Sequence, residues 1–122
     1  MIHVAPILTL AKCTSRPSKK LATYEHNVGG NVGVTSSCKV NLKNFSYDGK
    51  APSVYLWYTD SGDCSPINMA RNGKRLSKSR LRKAYSNKSF RVPVMSSVDT
   101  SKITCIAVYC EQFSAVLGAA EF

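Results

Sequence analysis

Residues 44–58 read Asn-Phe-Ser-Tyr-Asp-Gly-Lys-Ala-Pro-Ser-Val-Tyr-Leu-Trp-Tyr, and they constrain the fold more than any other stretch. The order is strand, tight turn, strand. Asp48-Gly49 is a strong turn signal, because glycine takes a positive φ without penalty and aspartate can bond its own backbone nearby. Pro52 stiffens the exit and supplies no ladder donor. An aromatic-rich strand follows, with Val54, Leu56 and Tyr58 on one face and Tyr55 and Trp57 on the other.

The same period of two recurs along the chain. Cys38, Val40 and Leu42 alternate with Lys39, Asn41 and Lys43, which predicts a half-buried strand with a basic outer face. Phe90, Val92 and Val94 alternate with Arg91 and Pro93, a pattern suited to an edge. Residues 103–109 are apolar on both faces and predict a central strand, and a last short strand is expected over 113–117. Gly29, Gly30 and Gly33 mark turns or a bulge, without the strand–helix context of a phosphate loop. Residues 69–84 hold Leu76 and Leu81 but little other apolar material, so one helical turn in a long loop is expected there. These elements predict an all-β fold, an antiparallel β-sandwich or small barrel with one long basic loop and an N-terminal arm. The arm is expected over residues 1–20, with Thr14 to Lys20 as linker, and the β-domain over 21–122. Residues 1–10 are apolar but lack a basic n-region and a small-residue cleavage site, so they are not read as a signal peptide. No apolar run is long enough to cross a bilayer as a helix.

Five cysteines in 122 residues favour an oxidising compartment. None shows Cys-x-x-Cys spacing, and His3 and His26 stand apart from all of them in sequence, so no metal site is expected. Two bridges among five cysteines can be drawn in roughly 15 ways. Cys105 and Cys110 have opposite parity, which places them on opposite faces of one sheet. Cys38 and Cys105 can each bridge to Cys64, which is read as the staple of the long loop. Cys13, in the arm, is the candidate odd thiol and a candidate for an intermolecular bridge. Cys110 falls in phase with Ile106 and Val108, so it is expected in the core.

The net charge of +10 points to an anionic partner more readily than to a fold. Arg71, Lys74, Arg75, Lys78, Arg80, Arg82 and Lys83 follow one another with no acid between them. Arginine grips sulfate, phosphate or carboxylate through paired hydrogen bonds. The plain alternative is a solvated loop that keeps the protein soluble. Nucleic acid ranks below an extracellular polyanion, because the cysteines suggest secretion and interleaved aromatics are sparse. Asp60 and Asp63 are too few oxygens for calcium, and no Ser–His–acid set can be assigned. Asn44-Phe45-Ser46 and Asn87-Lys88-Ser89 are glycosylation sequons, the first lying within the expected strand–turn core.

The run Asn44-Phe45-Ser46-Tyr47-Asp48-Gly49-Lys50-Ala51-Pro52, followed by Val54-Tyr55-Leu56-Trp57, resembles the DM-thirteen domain, the extracellular module of Skeletor- and Knickkopf-type proteins. Ala84-Tyr85-Ser86-Asn87, Phe90-Arg91-Val92-Pro93 and Ile106-Ala107-Val108-Tyr109-Cys110 agree with it in order, as does the ending Phe113 to Gly118. The resemblance spans about residues 21–121. It implies an all-β module, a family cysteine at Cys110, and a proposed redox or electron-transfer role. Tyr109 stands where the family often has tryptophan, and no companion redox domain is read within these 122 residues.

The combined expectation is a secreted, non-catalytic β-module without a cofactor. It would bind a sulfated glycan, anionic mineral or silica through the seven cations, and work in matrix assembly with other matrix proteins or with itself. A redox module using Cys110 is the alternative.

Overall fold

The computed structural model describes residues 13–122. In chain order the strands are β1 (Arg16–Lys20), β2 (Ala22–Thr23), β3 (Gly29–Val34), β4 (Lys39–Tyr47) and β5 (Val54–Thr59). A short helix α1 (Pro66–Asn72) precedes β6 (Lys74–Arg75), β7 (Tyr85–Pro93), β8 (Cys105–Cys110) and β9 (Ala115–Glu121). They form two antiparallel sheets, one ordered β1-β3-β4-β7 and the other β2-β9-β8-β5-β6. The architecture is the β-sandwich that the alternating pattern predicts.

Side chains of period two build the layer between the sheets. Val32, Val34, Val40, Leu42, Phe45 and Tyr47 from the first sheet meet Val54, Leu56, Tyr58, Ile106, Val108 and Leu117 from the second. β8 is the middle strand of its sheet and is buried on both faces. Its outer face joins Cys64, Met69, Ala107, Tyr109, Val116 and Ala119 in a second apolar cluster. Helix α1 sends Met69 into that cluster, and Trp57 packs on it. The doubly apolar reading of residues 103–109 thus has a physical cause: one face meets the partner sheet and the other meets the helix.

Three expectations need correction. Residues 14–20 are not a linker. Their last five form edge strand β1, with Arg16 opposite Val34 and Lys20 opposite Asn31. Thr14 exchanges hydrogen bonds with Thr100 in both directions. The rest of the expected arm, residues 1–12, lies outside the described residues. The basic segment is also more ordered than its composition suggests. Ser65 caps α1 by accepting from the Asn68 N–H, and Pro66 opens the first turn. Beyond the helix, the Leu76 N–H bonds to the Leu56 carbonyl and the Leu81 N–H to that of Val54, so both leucines seat in the core. Finally, the last strand begins at Ala115 and runs to Glu121, leaving Phe113 exposed on the preceding turn.

The Asp48-Gly49 turn does not close a hairpin. β4 and β5 lie in different sheets, so the turn is a corner of the sandwich. Gly49 has φ 74°, and a Cβ there would come within 2.6 Å of the Ala84 backbone nitrogen, so the corner has room only for glycine.

Candidate functional site

The corner between β4 and β5 and the end of β8 meet at Cys110. This residue is the last of β8, opposite Val54 of β5 and Ala115 of β9. It is 1% exposed and its thiol donates to the Pro52 carbonyl at 2.9 Å. That carbonyl sits in a fixed segment. The Tyr47 hydroxyl accepts from the Ala51 N–H and donates to the Ala51 carbonyl, both at 3.1 Å. The Glu111 N–H bonds to the Ser53 carbonyl at 3.0 Å. Burial pushes the Tyr47 phenol above its ordinary pKa. The Ala51 bond opposes this, and the neighbouring Asp48 and Cys110 add to it.

Above the thiol lies a cleft of about 310 Å³, lined by Glu25, His26, Lys50, Pro52, Cys110 and Phe113 among others. His26 stands on its wall through a two-part link to the corner. Its Nδ1 lies 3.0 and 3.1 Å from the two Asp48 carboxylate oxygens. Its carbonyl accepts from the Asp48 N–H at 3.0 Å. Asp48 Oδ1 also accepts from the Lys50 N–H at 2.9 Å. Partial desolvation pushes the Asp48 carboxyl up, but the Lys50 and His26 bonds together outweigh it and hold the group below the usual carboxylate range. Asp48 is therefore more than a turn former. It fastens the histidine to the wall of the cysteine cleft.

The disulfides are Cys13–Cys38 and Cys64–Cys105. Cys64 takes Cys105, one of the two partners the sequence allows, and ties the stretch before α1 to the outer face of β8. Cys13 is not the odd thiol. Ordering of residues 13–20 against the first sheet brings it to Cys38, and the free cysteine is Cys110. Opposite strand parity keeps Cys110 from Cys105.

The seven basic residues of the 71–83 region are all exposed, but they are not equivalent. Arg75 Nε and one of its terminal nitrogens donate to Glu111 at 2.6 and 2.7 Å. Its guanidinium also lies 4.0 Å over the Tyr55 ring. The indole N–H of Trp57 donates to the same carboxylate at 2.7 Å. The Arg75 bond, with help from Trp57, holds the Glu111 carboxyl below its ordinary range against the opposing effect of burial. Among the described residues, no other of the seven has a carboxylate within ion-pair distance. Arg71 lies in the last turn of α1, Lys74 lies in β6, and Lys78, Arg80, Arg82 and Lys83 follow between β6 and β7. Lys83 lies 5.6 Å over the Tyr85 ring. Asp63 accepts from the Ser65 N–H beside the helix cap, and no cluster of three metal-ligating side chains occurs among the described residues.

The profile of the family described as Electron transfer DM13 matches residues 20–122, which include every residue of the Cys110 cleft. The chain belongs to the DM13 family. Protein Skeletor, isoforms B/C, of Drosophila melanogaster is 27% identical over 99 residues, covering 80% of this chain and 13% of that protein. Isoforms D/E match at the same identity over 7% of their length. The DM13 chain therefore spans a small part of the curated relatives it matches. No solved structure matches it.

In this DM13 domain the two motifs that carry the resemblance are one site. The first supplies Tyr47, Asp48, Ala51 and Pro52, and the second supplies Cys110. His26, Tyr47 and Glu111 escape a reading of the sequence as site residues. Their partners lie 22, 4 and 36 positions away, and only the Tyr47–Ala51 distance is short enough to signal contact in sequence. No helix among the described residues is long and apolar enough to cross a membrane.

Proposed function

We propose that this DM13 domain is a secreted redox module whose reacting group is the Cys110 thiol. One observation carries the reading: the free cysteine lies under a cleft, held to a carbonyl that the Tyr47 clamp fixes in place. The two bridged pairs are consistent with an oxidising compartment, and the family description names electron transfer. In a one-electron oxidation Cys110 loses one electron and its thiol proton. The electron passes to a one-electron acceptor on a partner protein. The proton passes to water in the cleft or to His26, the imidazole on its wall. The test is titration of native protein with a small neutral thiol reagent. One equivalent should react without denaturant, and none in Cys110→Ser. Reaction only after unfolding defeats the proposal.

A second reading rests on a separate feature. Arg71, Lys74, Lys78, Arg80, Arg82 and Lys83 remain exposed and without carboxylate partners among the described residues. Such a group favours an extracellular polyanion, a sulfated glycan or a silica or other mineral surface, bound by many weak charge pairs. It would attach the module to a matrix while Cys110 serves the chemistry.

A further inference from the structure

The two sequons, distant in sequence, are built into one structural unit. β4 and β7 pair with Leu42 opposite Phe90, Phe45 opposite Lys88 and Tyr47 opposite Tyr85. The register slips twice between these points. In the first slip Lys43 and Asn44 of β4 face Ser89 alone. In the second Ser86 and Asn87 of β7 face Ser46 alone. These are reciprocal β-bulges, one on each strand. Both bulged asparagines are left-handed, each with φ 53°, a conformation asparagine tolerates better than most residues. Each bulge is capped by the serine of the other sequon. The Asn44 N–H bonds to Ser89 Oγ and the Asn87 N–H to Ser46 Oγ, both at 3.1 Å.

The bulges also fix which way the asparagines face. Leu42 and Phe45 are both buried although three positions apart, and Tyr85 and Phe90 stack at 4.8 Å although five apart. A regular strand would send the members of each pair to opposite faces. The extra residue absorbs the difference, and Asn44 and Asn87 are left exposed. The hydrogen bonds at these two positions are made by the backbone, not by the carboxamides.

We infer that Asn44 and Asn87 are N-glycosylation sites, a pair of glycans standing on the β4–β7 face of the first sheet. The donor is a polyprenyl-pyrophosphate-linked oligosaccharide and the catalyst an oligosaccharyltransferase. The bond from Asn Nδ2 to the sugar C1 forms as the C1–O bond to pyrophosphate breaks. The carboxamide loses one proton to the transferase, and the lipid pyrophosphate leaves with the bonding electrons. Transfer precedes the pairing of β4 with β7, because in the folded chain both sequon hydroxyls already serve the opposite bulge. The Asn87 glycan would then cover β7, a nine-residue edge strand whose ladder side is open to other chains. Neither site touches the Cys110 cleft, so this inference is independent of the thiol chemistry and rests only on the reading of the domain as secreted.

The test uses protein secreted by cells expressing its own full-length gene. Peptide-N-glycosidase in heavy-oxygen water turns each glycosylated asparagine into labelled aspartate, read by peptide mass spectrometry. Label is expected at both Asn44 and Asn87. Ser89→Ala should remove the Asn87 label and keep that of Asn44. Ser89→Thr, which keeps both sequon and cap, should retain both and guards against loss through misfolding. Label at one position alone overturns the paired unit. Absence of label at both, in the native chain, overturns the inference entirely.

Discussion

Cys110 donates its thiol hydrogen to the carbonyl of Pro52 across 2.9 Å, joining the end of the central strand β8 to the corner between the sheets. The two residues are 58 positions apart, yet both belong to the stretches of sequence that carry the resemblance to the family. The corner must therefore hold its shape for the thiol to keep its acceptor. Ala51, next to Pro52, is gripped on both its backbone groups by the Tyr47 hydroxyl.

Tyr47→Phe tests that grip. The ring stays in the core while the N–H and carbonyl of Ala51 lose their partner. Groups left unpaired and sheltered from water cost about 1–3 kcal/mol. Urea denaturation should show a loss of that size. Thiol titration of the folded variant should be faster than that of the parent, because the 51–52 segment is no longer pinned. A variant as stable as the parent would mean that water replaces the hydroxyl.

Glu111→Gln should weaken the far side of the same strand end. The paired Arg75 bonds become poorer and the Trp57 indole N–H keeps a neutral acceptor. With Arg75 partly exposed, the expected loss is about 1 kcal/mol near neutral pH. The sign with pH follows from the lowered Glu111 pKa. The folded state favours the ionised carboxyl. Its stabilising effect is thus present above the unfolded value and is lost as pH falls through the folded one. Stability curves of parent and variant should converge in acid. A gap that persists in acid would show that Glu111 acts through packing alone.

Local pattern made much of this molecule legible in its sequence. Alternation in Val40–Leu42, Val54–Tyr58 and Ile106–Cys110 reports burial directly, because strand geometry converts parity into face. It also separated Cys105 from Cys110 correctly. Parity cannot reveal which sheet a strand joins, so the Asp48-Gly49 corner looks like a hairpin turn. Nor does composition show that a basic, proline-bearing segment completes a sheet. Arg16–Lys20 is ordered by β3 and by the bridge from Cys13 to Cys38, and its own residues carry little apolar signal. The Arg75–Glu111 pair is invisible for a similar reason, since β6 must first lie beside β5 before the two side chains meet. The helix left a faint trace in Ser65-Pro66, a cap followed by a favoured first residue.

The two disulfides should differ little in what they contribute to global stability. Their sequence separations are 25 and 41. Chain-entropy reasoning assigns them roughly 3.5 and 4 kcal/mol through restriction of the unfolded chain. Cys13→Ala/Cys38→Ala and Cys64→Ala/Cys105→Ala should thus lower stability comparably in denaturant melts. Their local effects should diverge. Loss of the first frees the approach to β1, so amide exchange should rise over residues 14–20. Loss of the second leaves small gaps in the cluster under α1, and exchange should rise in the helix instead. Equal protection in both variants would show that hydrogen bonding alone holds these segments.

The basic surface separates binding from stability at the level of single residues. Lys78→Glu/Arg80→Glu/Arg82→Glu reverses three exposed charges that have no carboxylate partner among the described residues. It should leave the denaturation midpoint within about 0.5 kcal/mol of the parent. It should also lower the salt needed for elution from heparin, because exposed charge pairs are screened by ions. Arg75→Ala should do the reverse. It breaks the bidentate link to Glu111 and the stack on Tyr55, so stability should fall by about 1 kcal/mol while heparin elution shifts little. If the triple reversal leaves elution unchanged, the cations only keep the surface wet, and the polyanion reading fails with the redox reading untouched.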